Sequence, residues 1–191
     1  MERFAIAREH FEAVITGVET DLRRDRYDTW EGDLAAYCHR VASSVGLIAI
    51  EIFGYQNPSA RQYAVHLGLA FQLTNILRDV AEDAHRGRIY LPREDLERFA
   101  GSRDALAARR VNGVFRDLLA FEVARTRTLF ERGLPLADMV GRRLRHEVRI
   151  FARGGLAILA RIESVGYDVF RRRPTLGRAE LLRLVVRGLW R

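Results

Sequence analysis

The chain has 191 residues, of which 48% are hydrophobic and 30% are charged, and its formal net charge is +7. A chain of this length buries roughly 70% of its unfolded surface on folding, and it contains no repeat or linker-like run, so we expect residues 1–191 to form a single domain. All 32 basic residues are arginine, and they are dispersed rather than grouped with stacking aromatic residues, which argues against a nucleic-acid-binding protein.

The predicted secondary structure is helical throughout. Apolar residues recur at helical spacing in almost every long segment, and no segment alternates apolar and polar residues as a half-buried strand does. Glycine or proline marks each break between segments. We therefore predict an all-α fold with helices over residues 3–23, 31–53, 59–84, 103–131, 136–165 and 178–190.

The first two predicted helices carry no targeting or membrane signal. Charged residues interrupt the opening stretch MERFAIAREHFEAV, where a signal peptide requires an apolar core, and Glu51 interrupts the apolar run VGLIAIEIFG. Cys38 is the single cysteine, which rules out an internal disulfide and is typical of a reducing compartment. We therefore expect a cytoplasmic protein without a membrane-spanning helix.

The third predicted helix has an acidic face. At about 100° per residue, Gln72, Asn75, Asp79 and Asp83 lie on one side of the helix, beside the apolar stripe rather than opposite to it. Two carboxylates one helical turn apart repel each other. We therefore expect a compensating positive charge next to this face.

A divalent metal ion is one source of that charge. Mg²⁺ binds oxygen ligands, usually one or two carboxylates together with waters and substrate phosphates. Asp79 and Asp83 would supply the carboxylates and Asn75 an amide oxygen, with Mn²⁺ as the alternative metal. Arg78 and Arg88 carry forked donors that suit phosphate oxygens. The spacing alone favours a solvated helix face, because two aspartates four residues apart are common by chance.

On that solvated face, Asp79 or Glu82 would pair with Arg86. The longer string QLTNILRDVAEDAHRGRIYLP, however, resembles the second aspartate-rich motif of the squalene/phytoene synthase family. DLAAYCHRVASSVGLIAIEIFG resembles the family's Tyr-Cys block, and ETDLRRDRYDTWEGDL and ILARIESVGYDVFRRRPTL match further segments in order and spacing. The resemblance covers essentially the whole chain. Within the family it is greatest to the bacterial presqualene diphosphate synthases of the hopanoid pathway, followed by the bacterial phytoene synthases.

The resemblance implies an isoprenoid synthase fold, in which a helical bundle surrounds a central apolar cavity. It also implies Mg²⁺-assisted head-to-head condensation of two prenyl diphosphates. We expect farnesyl diphosphate as substrate and presqualene diphosphate as product, with phytoene synthesis from geranylgeranyl diphosphate as the alternative. The residues that would contact substrate are Gln72, Asn75, Arg78 and Arg88 near the diphosphate and Val41, Ala42 and Gly46 along the cavity wall.

Three residues receive catalytic roles from the resemblance. Asp79 and Asp83 match the metal-binding acids of the second motif, and Tyr37 matches the tyrosine of the Tyr-Cys block. Tyr37 would assist or orient the proton loss that closes a cyclopropane, although the released diphosphate is an equally good candidate for the base. Without the family, Tyr37 would be interpreted as a buried tyrosine with a hydrogen-bonded hydroxyl.

The chain departs from the family pattern in two places. No residue matches the family's first aspartate-rich motif, because DLRRDRYD, with Asp21, Asp25 and Asp28, aligns with a different segment. We therefore expect the C-terminal portion of a family domain that lacks its upstream helices, and we keep a catalytically inactive binding or interaction fragment as the alternative. The second departure is Gly155, at a position where many members have tyrosine.

The last predicted helix, RAELLRLVVRGLWR, is basic and amphipathic. We expect it either to dock on the bundle or to make peripheral contact with the inner face of the membrane. No glycine-rich phosphate loop occurs between a strand and a helix, so NADPH is not indicated. The expected partners are prenyl diphosphates and, further along the pathway, other isoprenoid enzymes.

Overall fold

The structure, a computed structural model, describes residue 4 and residues 6–189, with side chains described up to residue 183. Among these residues the elements are helices, accompanied by two isolated β-bridges. The all-α prediction is therefore confirmed. The helices are α1 (Arg8–Arg23), α2 (Trp30–Phe53), α3 (Ala60–His85), α4 (Arg93–Arg98), α5 (Ser102–Ala107), α6 (Gly113–Gly133), α7 (Leu136–Met139), α8 (Arg142–Ser164) and α9 (Arg178–Leu189).

The central helix is α3, which contacts α2, α6 and α8. Its apolar stripe lies where the periodicity predicts it, with Leu73, Ile76, Leu77 and Val80 all buried. The chain leaves the helix at Gly87, which has a φ of +79°, a conformation that costs glycine little because it has no Cβ. The acidic residues of α3 therefore lie in its last two turns, on the flank of the core.

Two glycines allow helices to cross α3 at close range. A Cβ on Gly68 of α3 would lie 2.4 Å from the Cα of Ser43 in α2. A Cβ on Gly133 of α6 would lie 2.8 Å from the backbone nitrogen of Leu67 in α3. Both distances are far below an ordinary carbon contact of about 3.5–4.0 Å, so these crossings require glycine.

The second helix, α2, contains two π-helical turns, Trp30–Leu34 and His39–Ser43. By length and composition alone the stretch Trp30–Phe53 is apolar enough to cross a membrane, and 33% of its most apolar window is buried. In the structure it contacts α1 and α3. Core helices of bundles also meet a criterion of length and composition, so the finding does not by itself indicate a membrane span.

The helix predicted over residues 103–131 is divided in the structure. α5 ends at Ala107, Arg109 has a φ of +50°, and α6 begins only at Gly113. Asn112 precedes α6 in an extended conformation, and its side-chain oxygen accepts a hydrogen bond from the Phe115 amide at 2.8 Å. Local capping chemistry therefore overrides the apolar periodicity at this point.

The helix predicted over residues 136–165 is divided as well. α7 ends at Met139, whose carbonyl accepts a hydrogen bond from the Gln56 amide at 2.9 Å. Val140 is extended and forms an antiparallel bridge with Tyr55. The loop after α2 thus pairs with the α7–α8 junction, a long-range contact that interrupts the helix.

The remaining differences concern the ends of elements. The short helix α4, which follows Pro92, was not predicted. The first predicted helix begins at Arg8 rather than at residue 3, and Arg3 and Trp190, the outer limits of the first and last predicted helices, lie outside the described residues.

Candidate functional site

The acidic face of α3 is partly enclosed by protein. Asp79 has only 18% of its side chain exposed, and Asp83 is likewise half-buried. Asn75, one turn before Asp79, is exposed, and Gln72 is half-buried. The two carboxylates therefore lie at the edge of the bundle rather than in bulk solvent, and Asn75 faces outward beside them.

Asp79 is held by two arginines. Arg78 donates from Nε and Nη2 to the two carboxylate oxygens at 2.9 and 2.6 Å, and Arg173 donates in the same manner at 2.7 and 3.1 Å. Burial tends to raise the pKa of Asp79, but these two guanidinium groups lower it overall. Arg173 also lies 3.5 Å from Glu82. The predicted alternative, in which Asp79 or Glu82 pairs with Arg86, is therefore wrong. Arg78 and Arg173 pair with Asp79, and Arg173 lies beside Glu82.

Asp83 lies in a different electrostatic environment. Burial, followed by the negative charge of Asp79, raises its pKa to about 6, while Arg86 and Arg88 act in the opposite direction. The two acids thus differ in their protonation behaviour although they are one turn apart. Asp83 carries the charge that the surrounding arginines compensate least, so an added cation would be most favourable beside it.

A cavity of about 700 Å³ opens next to this face, between α3, α8 and the segment that follows α8. Its polar lining includes Asn75, Arg78 and Arg173, and its apolar lining includes Phe71, Ile150, Phe151, Ile158 and Leu176. Arg78 and Arg173 are the same two arginines that hold Asp79. The cavity therefore suits an amphiphile with an anionic head and an apolar tail.

A tyrosine cluster lies on the inner side of the acidic face. The ring of Tyr37 is 5.3 Å from that of Tyr27 and 5.6 Å from that of Tyr90, and all three residues are buried. Tyr90 donates a hydrogen bond to Asp21 Oδ1 at 2.7 Å. Burial, followed by the charges of Tyr90 and Asp21, raises the pKa of Tyr37 far above its usual value. Tyr37 therefore keeps its proton at neutral pH and acts as a hydrogen-bond donor.

The other predicted substrate residues lie apart from the cavity lining given above. Arg88 donates to the backbone carbonyl of Asp21 at 3.0 Å, which places it on the tyrosine side of the site. Val41, Ala42 and Gly46 of α2 are half-buried. Val41 lies at the crossing with α1 and Gly46 at the crossing with α3, so both take part in helix packing in the structure.

Two residues of the site were missed by the sequence analysis. Arg173 is 94 residues from its partner Asp79, and Asp21 is 69 residues from its partner Tyr90. Both belong to strings that match the family, RRRPTL and ETDLRRDRYD. Position within a matched string was the only signal that could have found them.

The donor set of α3 suits a hard divalent cation. Carboxylate and amide oxygens are the ligands that Mg²⁺ prefers, and it commonly takes only one or two carboxylates with phosphate oxygens completing the shell. Within the part of the chain that the structure describes, no group of three or more His, Cys, Asp or Glu residues could hold a metal. A metal at Asp79 and Asp83 would therefore depend on ligands from a bound phosphate group.

Comparisons with known proteins identify the relatives of this chain. The model of the family "Squalene/phytoene synthase" matches residues 1–180. The 15-cis-phytoene synthase of Synechococcus elongatus is 39% identical over 189 residues, which cover 91% of this chain and 60% of the relative. The presqualene diphosphate synthase of Zymomonas mobilis is 47% identical over 119 residues, which cover 61% of this chain and 41% of the relative.

A solved structure agrees with these sequence relatives. The crystal structure of squalene synthase HpnC from Alicyclobacillus acidocaldarius superposes with a TM-score of 0.79 and 38% identity, and the match covers 83% of this chain and 60% of that one. The chain thus spans about 60% of the length of such relatives.

Proposed function

Because the chain belongs to the squalene/phytoene synthase family, we propose that it takes part in the head-to-head condensation of two prenyl diphosphates. The observation that supports this best is the placement of Asp79, Arg78 and Arg173 at the mouth of an apolar cavity of about 700 Å³. A diphosphate head requires cationic donors, and a prenyl tail requires an apolar enclosure. Arg78 of α3 and Arg173 of the segment after α8 meet the first requirement, and the apolar side chains that line the cavity meet the second.

The residues of the site suit the ionisation of an allylic diphosphate. Arg78 and Arg173, which hold Asp79 in the structure, would exchange its carboxylate for the diphosphate oxygens, since forked guanidinium donors match these in geometry and charge. This exchange would free the Asp79 oxygens for a metal ion. Asp79 and Asp83 would hold Mg²⁺, which when bound supplies further neutralisation of the leaving diphosphate. The apolar lining would keep water from the allylic cation, so that the double bond of the second substrate attacks it instead.

Tyr37 would orient the proton transfer rather than accept the proton. Its pKa is raised by burial and by the neighbouring Tyr90 and Asp21, so the tyrosinate form required of a base is disfavoured. The released diphosphate is then the better candidate to take the proton whose loss closes the cyclopropane. Tyr37 is then proposed as a hydrogen-bond donor that orients the groups between which this proton moves.

The comparisons favour a longer substrate than the sequence analysis did. Farnesyl diphosphate was expected first, but the relative from Synechococcus elongatus, which matches 91% of the chain, is a 15-cis-phytoene synthase. We therefore propose geranylgeranyl diphosphate as the substrate and a phytoene-type product. Presqualene diphosphate synthesis remains the second candidate, because the Zymomonas mobilis enzyme is 47% identical over its shorter match.

A binding or interaction role without catalysis is also favoured by a specific observation. The apolar side chains of Ile15, Val18 and Leu22 on α1 are 57–79% exposed. An exposed apolar stripe of this kind marks an interaction surface. On this alternative the chain would bind prenyl diphosphates without condensing them.

One experiment separates these proposals. The 191-residue chain is incubated with farnesyl or geranylgeranyl diphosphate and Mg²⁺, and we measure ligand binding, pyrophosphate release and the extracted lipid product. A C40 product supports phytoene-type synthesis, a C30 product supports presqualene-type synthesis, and binding without pyrophosphate release supports the non-catalytic role. Absence of binding to either diphosphate would overturn all three.

The acidic face gives the decisive variants. Asp79→Ala or Asp83→Ala should weaken Mg²⁺-dependent binding and abolish any pyrophosphate release, with a loss of about 100-fold or more, the effect of removing one preorganised electrostatic contact. Asp117→Asn, which changes an exposed acid on α6, is the matched control and should leave both measurements unchanged. Unaltered binding and release in both α3 variants would contradict the metal role.

A further inference from the structure

Two adjacent glycines in α8 border the cavity, and they differ sharply in their surroundings. A Cβ on Gly155 would lie 2.4 Å from Cζ of Phe130 and 3.2 Å from each of its Cε atoms. A Cβ on Gly154 would meet no atom of the described side chains and backbone within 4 Å. A glycine inside a helix lowers the stability of the helix by about 0.5–1 kcal/mol relative to alanine. Of these two positions, only 155 has a close neighbouring side chain that explains why glycine is present.

Phe130 connects Gly155 to the cavity. It is fully buried in α6, and its ring makes an edge-to-face contact with Phe71 of α3 at a centroid distance of 5.3 Å. Phe71 itself lines the cavity. From α8 inward, the Phe130 ring therefore packs against Gly155, and the Phe71 ring packs against Phe130.

Among the residues of α3 that line the cavity, Phe71 is the furthest along the helix from the charged groups. Phe71 precedes Arg78 by seven residues on α3, which is about 10 Å along a helix axis at 1.5 Å per residue. An amphiphile with its head at Arg78 and Arg173 would therefore direct its tail toward Phe71. The position of the Phe71 ring then limits the length of that tail.

We propose that Gly155 is a specificity-determining residue that sets, through Phe130 and Phe71, the length of prenyl chain that the cavity accepts. The inference rests on the proposed function, because it requires a prenyl tail in this cavity. Any side chain at position 155 pushes the Phe130 ring away from α8. Phe130 is enclosed by protein on all sides, so its displacement is transmitted to Phe71 and shortens the cavity.

The test compares the two glycines. Binding of farnesyl diphosphate, geranylgeranyl diphosphate and free pyrophosphate is measured by calorimetry, in Mg²⁺, for the wild-type chain, Gly155→Ala and Gly154→Ala. We expect Gly155→Ala to weaken binding of the C20 ligand about tenfold more than that of the C15 ligand, the discrimination that a misfit of one or two methylene groups produces. Pyrophosphate affinity should stay constant. Gly154→Ala should preserve the wild-type ratio of C20 to C15 affinities.

A compensating variant separates this role from a structural one. Gly155→Ala combined with Phe130→Leu removes the colliding ring atoms and should restore C20 binding. Phe130→Leu alone enlarges the cavity end and should raise C20 affinity relative to C15, so the proposal remains testable if Gly155→Ala does not fold by circular dichroism. A merely structural glycine would lower all affinities together and leave their ratio unchanged.

The possible results distinguish a failure of the proposed function from a failure of the proposed role of Gly155. If the wild-type chain binds neither prenyl diphosphate, the proposed function fails, and this inference fails with it. If the wild-type chain binds both ligands but Gly155→Ala and Gly154→Ala shift the ratio equally, or Phe130→Leu leaves it unchanged, only the role of Gly155 is overturned.

Discussion

Asp21 illustrates how one residue organises the inner side of the site. Its carboxylate accepts the Tyr90 hydroxyl, its backbone carbonyl accepts Arg88, and the Tyr90 ring lies 5.6 Å from that of Tyr37. Asp21 therefore holds Tyr90, and Tyr90 packs against Tyr37. The hydrogen bond fixes the Tyr90 hydroxyl as a donor, because an ionised carboxylate can only accept.

This arrangement predicts how Tyr90 titrates. Burial, followed by the hydrogen bond and charge of Asp21, raises the pKa of Tyr90 to about 12. In Asp21→Asn the negative charge is lost, so we expect the pKa of Tyr90 to fall toward its usual value but to stay raised, because burial persists. The measurement is tyrosine ring NMR as a function of pH, with Tyr90→Phe used to assign the signal.

Asp25→Asn provides the control for this titration, since Asp25 is exposed on the same stretch of chain. It should leave the Tyr90 signal unchanged. An identical Tyr90 titration in the wild type and in Asp21→Asn would show that the carboxylate does not determine the proton affinity of the cluster.

Residues of the site differed in how far the sequence could predict them. Asp79 and Asp83 lie on one helix face, which their spacing alone determines. Their partners could not be predicted in this way, because Arg173 reaches Asp79 across 94 residues of chain. Asp21 lies in a string that aligns with a different family segment from the first aspartate-rich motif, and its contact with Tyr90 depends on the packing of α1 against the segment after α3.

At the scale of the elements, periodicity predicted the long helices and missed their interruptions. α3 runs over Ala60–His85, within one residue of the predicted 59–84. The break before α6 depends on the Asn112 cap, and the break after α7 depends on a bridge between Val140 and Tyr55. The π-helical turns of α2 also escaped prediction, because they retain the apolar pattern of an ordinary helix while shifting its backbone hydrogen bonds.

The crossing of α2 and α3 gives a prediction about stability. A Cβ on Gly68 would meet the Cα, backbone nitrogen and Oγ of Ser43 at 2.4–2.7 Å, and backbone atoms cannot move aside as a flexible side chain can. Ser43 is also tied to α3 by a 2.9 Å hydrogen bond to the Val65 carbonyl. We expect Gly68→Ala to lower the free energy of unfolding by about 3 kcal/mol, the upper end of the range for overpacking, as measured by urea denaturation.

Gly113→Ala is the matched control for this crossing. Gly113 is exposed at the start of α6, and a Cβ there would meet no described residue within 4 Å. The substitution should leave the protein unchanged or stabilise it by up to about 1 kcal/mol, because alanine restricts the unfolded chain. Equal effects of the two substitutions would mean that the close approach of α2 and α3 is not required.

The whole molecule contains a buried ionic cluster that the sequence did not indicate. Arg125 of α6 donates to Asp95 of α4 at 2.8 Å and to both oxygens of Glu122 at 2.9 Å, and its guanidinium lies 5.0 Å from the Trp30 ring of α2. One arginine thus joins three helices. The single guanidinium group of Arg125 pairs with two buried carboxylates, so one of their two negative charges remains uncompensated. Binding of a proton to one of the carboxylates is therefore favoured.

This cluster predicts the pH dependence of global stability. Burial raises the pKa of Glu122 to about 8 from its ordinary value of 4.5, so the folded state binds a proton that the unfolded state releases. The stabilisation is complete at a pH below the pKa of Glu122 in the unfolded chain. It is lost as the pH rises through the pKa of Glu122 in the folded protein. We therefore expect the free energy of unfolding to fall between about pH 5 and pH 8, by about 2 kcal/mol or more, since one pKa unit corresponds to about 1.4 kcal/mol.

Urea unfolding of the wild type and Glu122→Gln across this pH range measures the effect. Glutamine stays neutral like the protonated acid, so the variant should lose the decline. His39 and His66, whose pKa values are lowered by burial, titrate in both proteins, so the difference between the two curves isolates Glu122. Glu163→Gln, which removes a half-exposed partner of Arg127, should keep the wild-type slope. A slope that persists in Glu122→Gln would show that Arg125 compensates both acids fully and that the cluster imposes no proton uptake on folding.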